Sequence, residues 1–529
     1  MNSLTLKNGR ILTFDPDRPL ARSLHCRAGR IVSLADDAAE APADRVIDLG
    51  GRTVIPGLID AHAHLYWMAD DRLRLDVAKL GIGRIADLLD VLRDAAGDAE
   101  WIVAIGVNER RLAERRLPTR DELDRVSGGR PTALKRLCGH TAVANSAALA
   151  RLGFDRPMPQ VTGGIVETDN GRPTGVLRER AADMLFALLP GPPGGEMADS
   201  LAAVAKDYVS RGVTGVSEAA VGFTAGFDRE WSAWTAVRAR GSFPLRMDFM
   251  LGLTAELASA ADITPVEDLD WQLRTLKFFA DGTLGNRTAA LGRPYQGVSD
   301  WRGLLLQPAE RLIAEFRAAR ASGWEIAVHA IGDAGIYAAA AALEAIAADR
   351  PGCGRPRIEH LAMPNERALA GLLRCRAAIV TQYGFLRAMG DSFVDAIGED
   401  RARGLYPGRS LIDRGFTVAG SSDAPATPLS PFYGIAAAHR RASDGGLPLN
   451  EGESLTIEQG FEIYTRGAAA VLGHRAERGV LKRGACADLA VLDRDPLHCA
   501  PDELESCGVE LTVIRGAVVH ENRQRRQAR

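Results

Sequence analysis

Eight short apolar segments follow one another through the chain: VIPGLIDAHAHL, GVTGVSEAAV, LRMDFMLG, LRTLKFFADG, EIAVHAIGD, PRIEHLAM, AAIVTQYG and TVAGSSDAP. Each has the length and apolar character of a buried strand. Between them lie Ala- and Leu-rich stretches of helical composition, such as ERLIAEFRAARASG and GIYAAAAALEAIAA. A strand–helix rhythm argues for a parallel sheet, and eight strands are what a (β/α)8 barrel requires. Most neighbours are spaced for βα units of roughly 30 residues or more. The exception is the gap from His64 to about Gly212, too long for one crossover. Its WIVAIGV, PTALKRLCGH and TGVLRERAADML stretches predict an inserted subdomain over the barrel mouth, about 66–205.

The two ends of the chain have a different texture. SLTLKNGRILTF, SLHCRAGRIVSLAD and RVIDLGGRTVIPG each place turn residues between apolar runs, at Asn8-Gly9, Ala28-Gly29 and Gly50-Gly51. All three read as hairpins. Near the other end, ADLAVLDRD reads as a strand and LTVIRGAVVHEN as a hairpin around Gly516. Isolated hairpins are marginal in water, so both ends are expected to pair into one small all-β domain. The Arg-rich end, ENRQRRQAR, reads as a frayed tail.

Composition narrows the function classes. The 65 Lys+Arg and 68 Asp+Glu of 529 residues nearly cancel, with 46% hydrophobic residues. These are soluble globular values, without the basic face a nucleic-acid binder needs. The seven cysteines show no C-x-x-C spacing, which argues against a disulfide framework or a structural zinc ribbon. No apolar run reaches the length of a membrane span, and no secretory signal is visible at the N-terminus. A cytoplasmic protein with no membrane or nucleic-acid partner is expected.

The chemistry lies in where polar residues interrupt the strand segments. The first ends in Asp60-Ala61-His62-Ala63-His64, the fourth carries Lys277, and the fifth ends at His329. The sixth ends at Glu359-His360 and the eighth at Asp423. In a barrel these C-terminal strand ends converge on one mouth. Residues two apart on a strand share a face, so His62 and His64 can grip one cation. An HxH alone also suits two satisfied core histidines. With two further histidines and an aspartate at strand ends, it points to a metal site. Lys277 sits in apolar LKFF, where a buried amine is costly unless paired or chemically changed. It reads either as a CO2-derived carbamate bridging cations or as an ordinary lysine facing a substrate carboxylate. Asp423 reads as a metal ligand or as the acceptor of a water proton; a helix N-cap is the structural alternative.

The ordered motifs VIPGLIDAHAH, LKFFADGTLGNRTAAL, VHAIGD, RIEH, GSSDAP and GVLKRGACADLAVLD resemble the amidohydrolase superfamily of metal-dependent hydrolases. Within it, PTRDELDRVSGGRPTALKRLCGHTAVANSAAL and GRPTGVLRERA resemble the branch that includes N-substituted formamide deformylase. The resemblance spans nearly the whole chain. It implies an α/β fold: a distorted (β/α)8 TIM barrel (56–474) with a small β-sandwich domain built from both chain termini (1–55 plus 475–529). It further implies His62 and His64 on a more buried cation, His329 and His360 on a second, and Lys277 as a carbamate between them. Asp423 would contact the first cation and act as acid/base. The implied cofactor is one or two divalent metal ions, zinc first, with iron, manganese and nickel also suited to the donor set. His140 and Asn145 of GHTAVANS, Glu179 of GVLRERA, and Asp281 with Arg287 of ADGTLGNRTA are candidate substrate contacts, each also open to a packing or salt-bridge role. Gln382, in Thr381-Gln382-Tyr383, is expected in the pocket wall, and Ser217-Glu218 is assigned no role. The chain departs from the branch at Ala424 and Ala426, where larger neighbours are common, and lacks none of the ligands.

The expected reaction is hydrolysis of a non-peptide C–N bond of a small molecule, of amide or formamide type, by a metal-activated hydroxide. Deamination, or ester or lactone hydrolysis, on the same centre is the alternative within enzymes. A non-catalytic scaffold is the alternative outside them. The resemblance also allows a homodimer.

Overall fold

In a computed structural model, the chain is described at residues 3–36, 43–95, 97, 99–137, 139–154, 161, 163–191, 194–349, 355–475 and 477–522. The Arg-rich end beyond Asn522, Cys138 and Cys353 lie outside the described residues.

The eight apolar segments form one parallel sheet. Its strands are β1 (Leu58–Ala63), β2 (Val213–Val221), β3 (Arg246–Leu251), β4 (Trp271–Phe279), β5 (Glu325–Ala330), β6 (Arg357–His360), β7 (Ala378–Thr381) and β8 (Val418–Gly420). They lie in sequence order, β8 and β1 at the two edges. The ring closes just beyond β8, where Asp423 N donates to His62 O at 2.9 Å and His64 N to Ala424 O at 2.9 Å. Helices follow the strands, among them Phe227–Ala239, Ala309–Ala321, Asp333–Asp349, Glu366–Arg374 and Gly384–Ile397. Buried Trp234, Phe249, Trp271, Leu276, Phe316 and Leu343 belong to the large core between strands and helices.

The long gap after β1 holds a six-stranded sheet containing Ile102–Val107, Thr132–Arg136, Thr141–Ala144, Gly164–Asp169 and Arg172–Glu179. A capping box starts its helix Arg120–Ser127: Thr119 Oγ1 accepts from Glu122 N, and the Glu122 carboxylate accepts from Thr119 N.

The terminal segments build two further sheets. One comprises Ser3–Lys7, Ser23–Arg27, Arg30–Ala35 and Arg45–Asp48. The other joins both ends of the chain, with Thr53–Pro56 antiparallel to Leu489–Leu492. Leu4, Leu6, Ile11, Ile47, Val54 and Leu489 form the core these sheets share.

Two hairpin expectations are corrected here. The turns at Ala28-Gly29 and Gly516 do join antiparallel partners. Asn8-Gly9 and Gly50-Gly51 instead carry the chain from one sheet to the other. Ser3–Lys7 pairs in parallel with Arg45–Asp48, and Arg10–Leu12 in parallel with Thr53–Pro56. The two corners lie side by side. Gly51 N donates to Asn8 O at 2.7 Å, and Asn8 Nδ2 to Asp48 Oδ2 at 2.8 Å. A Cβ at Gly9 would stand 2.2 Å from Leu49 Cδ1, so glycine permits this close approach. The apolar alternation of these segments reflects burial between two sheets rather than pairing within one.

Candidate active site

The C-terminal ends of the barrel strands open into one cavity, with His62, His64, Lys277, His329, His360 and Asp423 in its wall. Register accounts for the arrangement. Phe279 pairs with His329, and His329 in turn with Glu359, so β4, β5 and β6 present their ends at one level. His360 departs from strand geometry at φ 73°, and Asp423 stands at φ 52°, both in the left-handed region. Such conformations are uncommon for residues with a Cβ and concentrate at functional sites.

His62, His64 and Asp423 each offer a ligand atom within 4.8 Å of the others. Asp423 Oδ1 is 3.3 Å from Nε2 of His62 and 3.3 Å from Nε2 of His64. The rings of His62 and His360 are 5.0 Å apart, and those of His360 and His329 4.5 Å. All six residues are buried.

The far nitrogen of most imidazoles is held from behind. His62 Nδ1 meets the Glu359 carboxylate, whose other oxygen is 2.7 Å from Arg357 Nε. His360 Nδ1 is 2.8 Å from Gln382 Oε1, and Gln382 Nε2 donates to Ser421 Oγ at 2.8 Å. His329 Nε2 is 3.1 Å from Gly282 O. His62 and His360 thereby offer Nε2, and His329 offers Nδ1. Partners of this kind fix the tautomer and aim of a metal ligand.

Burial pushes His64 down to about 4 and His329 down to about 3, and holds His360 well below the usual imidazole range. These rings are neutral at pH 7, the form that binds metal. Burial opposes ionisation of Asp423, but His62 and His64 override it and hold the carboxyl well below its ordinary value. Burial lowers Lys277 to about 8 against the pull of Glu359 and Asp423. Its Nζ lies 5.4 Å from the Phe279 ring centre and makes no hydrogen bond among the described residues. Neutral imidazoles, a carboxylate and a buried amine in one cup fit the divalent cation that the histidine spacing implied.

Of the six expected substrate contacts, the structure brings His140 to the cavity and places the other five behind its wall. Asn145 is a helix cap: Oδ1 accepts from Thr132 N and Ala148 N, and Nδ2 donates to Arg130 O. Asp281 accepts from Ile331 N, Gly332 N and Ala290 N at 2.8–3.0 Å, pinning the turn after β5. Arg287 donates to the carbonyls of Gln296 and Asp395. Gln382 faces His360, and Glu179 holds His140. In each case local backbone or side-chain partners satisfy the polar group before a ligand could.

Conversely, several wall residues had no signal in the strand-end pattern. Phe223 follows β2, and Phe385, Met389 and Phe393 line one face of Gly384–Ile397. Arg136 reaches in from the inserted sheet, and Arg110 from the turn after its strand Ile102–Val107. The four-residue spacing of Phe385, Met389 and Phe393 marks a helix face, but not which side of the barrel it covers. Glu359 was visible beside His360. Strand alternation would send neighbours to opposite faces; the turn at His360 brings both to the site.

The amidohydrolase family model matches residues 45–520. The chain belongs to the amidohydrolase family. A Bacillus subtilis (strain 168) relative, YtcJ, described only as an amidohydrolase, is 31% identical over 492 residues, 91% of each chain. The N-substituted formamide deformylase of Arthrobacter pascens is 28% identical over 545 residues, covering 98% of this chain and 99% of that one. The crystal structure of an uncharacterized metal-dependent hydrolase from Pyrococcus horikoshii OT3 superposes with a TM-score of 0.77 at 24% identity, covering 95% of this chain and 99% of that one. The amidohydrolase is therefore built on a (β/α)8 barrel with terminal β-sheets beside it, and its family is one of metal-dependent hydrolases.

Proposed function

We propose that this amidohydrolase cleaves a non-peptide C–N bond of amide or formamide type in a small molecule. The observation that supports this most is the position of Asp423 Oδ1, 3.3 Å from both His62 Nε2 and His64 Nε2. A carboxylate there can share a cation with the histidines and take a proton at the same point. His62, His64, Lys277, His329, His360 and Asp423 hold one or two divalent cations, zinc first, with Lys277 carried as a CO2-derived carbamate. A cation held there would supply acidification of a water and polarisation of a carbonyl oxygen. Asp423 accepts the proton released by that water. Glu359, Gln382 and Gly282 keep the imidazoles aimed while charge shifts in front of them.

The rest of the cavity favours a neutral substrate with an apolar substituent. Phe223, Phe279, Phe385, Met389 and Phe393 supply an apolar wall. The two arginines at the mouth already have partners: Arg110 pairs with Asp395 at 2.9 Å, and Arg136 with both Glu109 oxygens at 2.9 Å. The name of the Arthrobacter relative supports the formamide within the amide class. Of the substrate contacts expected from sequence, His140 is the one that lines the cavity. We further propose that 1–55 with 475–529 act as one domain and 56–474 as the barrel with its insertion. Five described cysteines are free, which supports a reducing, cytoplasmic setting.

The test is amine release by zinc-loaded enzyme from N-substituted formamides, N-acyl amines and cyclic amides, with aminopurines, esters and lactones as comparison. Amine should appear from the amide-type compounds and stop after chelation. Ammonia from the aminopurines, or cleavage of esters and lactones alone, would replace this reading by its alternatives. Substoichiometric metal in every chelator-free preparation would favour a scaffold.

A further inference from the structure

His140 and Glu179 form a second carboxylate–imidazole pair, on the wall of the cavity that the strand ends do not supply. His140 follows the strand Thr132–Arg136 of the inserted sheet. Its ring lies 5.7 Å from that of Phe223, which itself stacks 5.5 Å from His64. One aromatic ring therefore separates His140 from the histidine cluster. Its side chain is 21% exposed against 1% for His62, which puts it nearer the mouth.

The pair is built with some care. His140 Nδ1 is 3.0 Å from Glu179 Oε2. Glu179 Oε1 accepts from Thr288 Oγ1 at 2.6 Å, and Asn286 Nδ2 lies at 3.5 Å. Glu179 N donates to His140 O at 2.9 Å, tying the two backbones as well. Glu179 holds this place at φ 52°, a conformation uncommon for a residue with a Cβ. A buried carboxylate on Nδ1 sets the ring with Nε2 turned away from it. Although burial opposes its ionisation, Glu179 is held below the usual carboxylate range by His140. Among the described residues, Asp183, on the helix after Glu179, and His329 of β5 also feel the charge of His140.

Resting on the hydrolase reading above, we propose that His140, oriented by Glu179, delivers the proton to the leaving nitrogen. Asp423 sits between His62 and His64 on the floor, where the water proton is removed. The leaving amine departs toward the mouth, where His140 stands. After water oxygen adds to the carbonyl carbon, the C–N bond breaks and its electron pair passes to nitrogen. Nitrogen takes the proton from His140 Nε2, leaving a neutral imidazole. Asp423 holds the proton taken from water, and its return through solvent to His140 restores both groups. Glu179 is a positioning residue that keeps the imidazolium aimed.

The test uses zinc-loaded enzyme and ring-substituted N-aryl formamides whose amines span a wide range of basicity. For wild type, kcat should depend only weakly on amine basicity. His140→Gln should lower kcat by about 10²–10⁴-fold for the most basic amines and much less for the least basic, steepening that dependence. KM and metal content should stay near wild type. Glu179→Gln should steepen it in the same sense by a smaller factor. An equal loss across the series, or a rise in KM alone, would overturn the proton-delivery role and leave the hydrolase reading intact. A wild-type enzyme that cleaves no member of the series, or any other amide, would overturn both.

Discussion

Gln382 Oε1 stands 2.8 Å from His360 Nδ1, with its own amide nitrogen anchored on Ser421. The glutamine thus decides which nitrogen His360 turns to the cavity. Gln382→Leu keeps the volume and removes the partner. Affinity for the more weakly held cation should fall by about 10- to 100-fold with the fold retained. Chelator competition followed by metal analysis measures this; unchanged affinity would remove Gln382 from the support of the site.

Asp423→Asn tests the proton acceptor. Asparagine tolerates the left-handed backbone that Asp423 adopts at φ 52°, so the turn after β8 should survive. kcat should fall by at least about 10²-fold, with circular dichroism and most of the metal retained. Wild-type turnover would take Asp423 out of the mechanism.

Lys277→Ala separates the carbamate from an ordinary lysine. If a carbamate is shared between two cations, the variant should lose activity and part of its metal. Added formate or acetate should restore some of both by replacing the missing carboxylate. Two cations retained without any rescue would count against the bridge.

Glu122 offers a pH test remote from the cavity. Burial raises its pKa, but the Arg116 guanidinium, acting first, together with Thr119, holds it down to about 2. A folded-state pKa below the ordinary carboxylate value means stability present above about 4.5 and lost as pH falls toward 2. Glu122→Gln keeps a capping side chain but not the charge. It should lower the urea midpoint at pH 7, equivalent to about 1 kcal/mol or less. The gap between wild type and variant should narrow as the buffer is taken from pH 5 to pH 3. A gap that widens on acidification would contradict this pairing.

How much of this could be read from the chain depends on what carries the information. The barrel strands were legible because each is a short, mostly apolar run, and several lead into a chemically distinctive residue such as His329 or Asp423. The cup they form was legible because strand ends in a barrel share one rim. The turns at Asn8-Gly9 and Gly50-Gly51 were misread because a tight corner between sheets uses the same residues as a hairpin. Asn145, Asp281 and Arg287 are not among the residues that line the cavity, for a related reason. Polar residues beside a motif carry no mark of whether a backbone group will reach them first. The apolar wall was invisible because Phe385 and Met389 look like any helix core until the inserted sheet faces them across the cavity.

Thr53–Pro56, just ahead of the first barrel strand, is laced antiparallel to Leu489–Leu492, well after the last. The molecule is therefore fastened at both ends by the same seam. Tension applied to the two termini would load that seam before any barrel strand, and His62 and His64 would stay unloaded for as long as it holds.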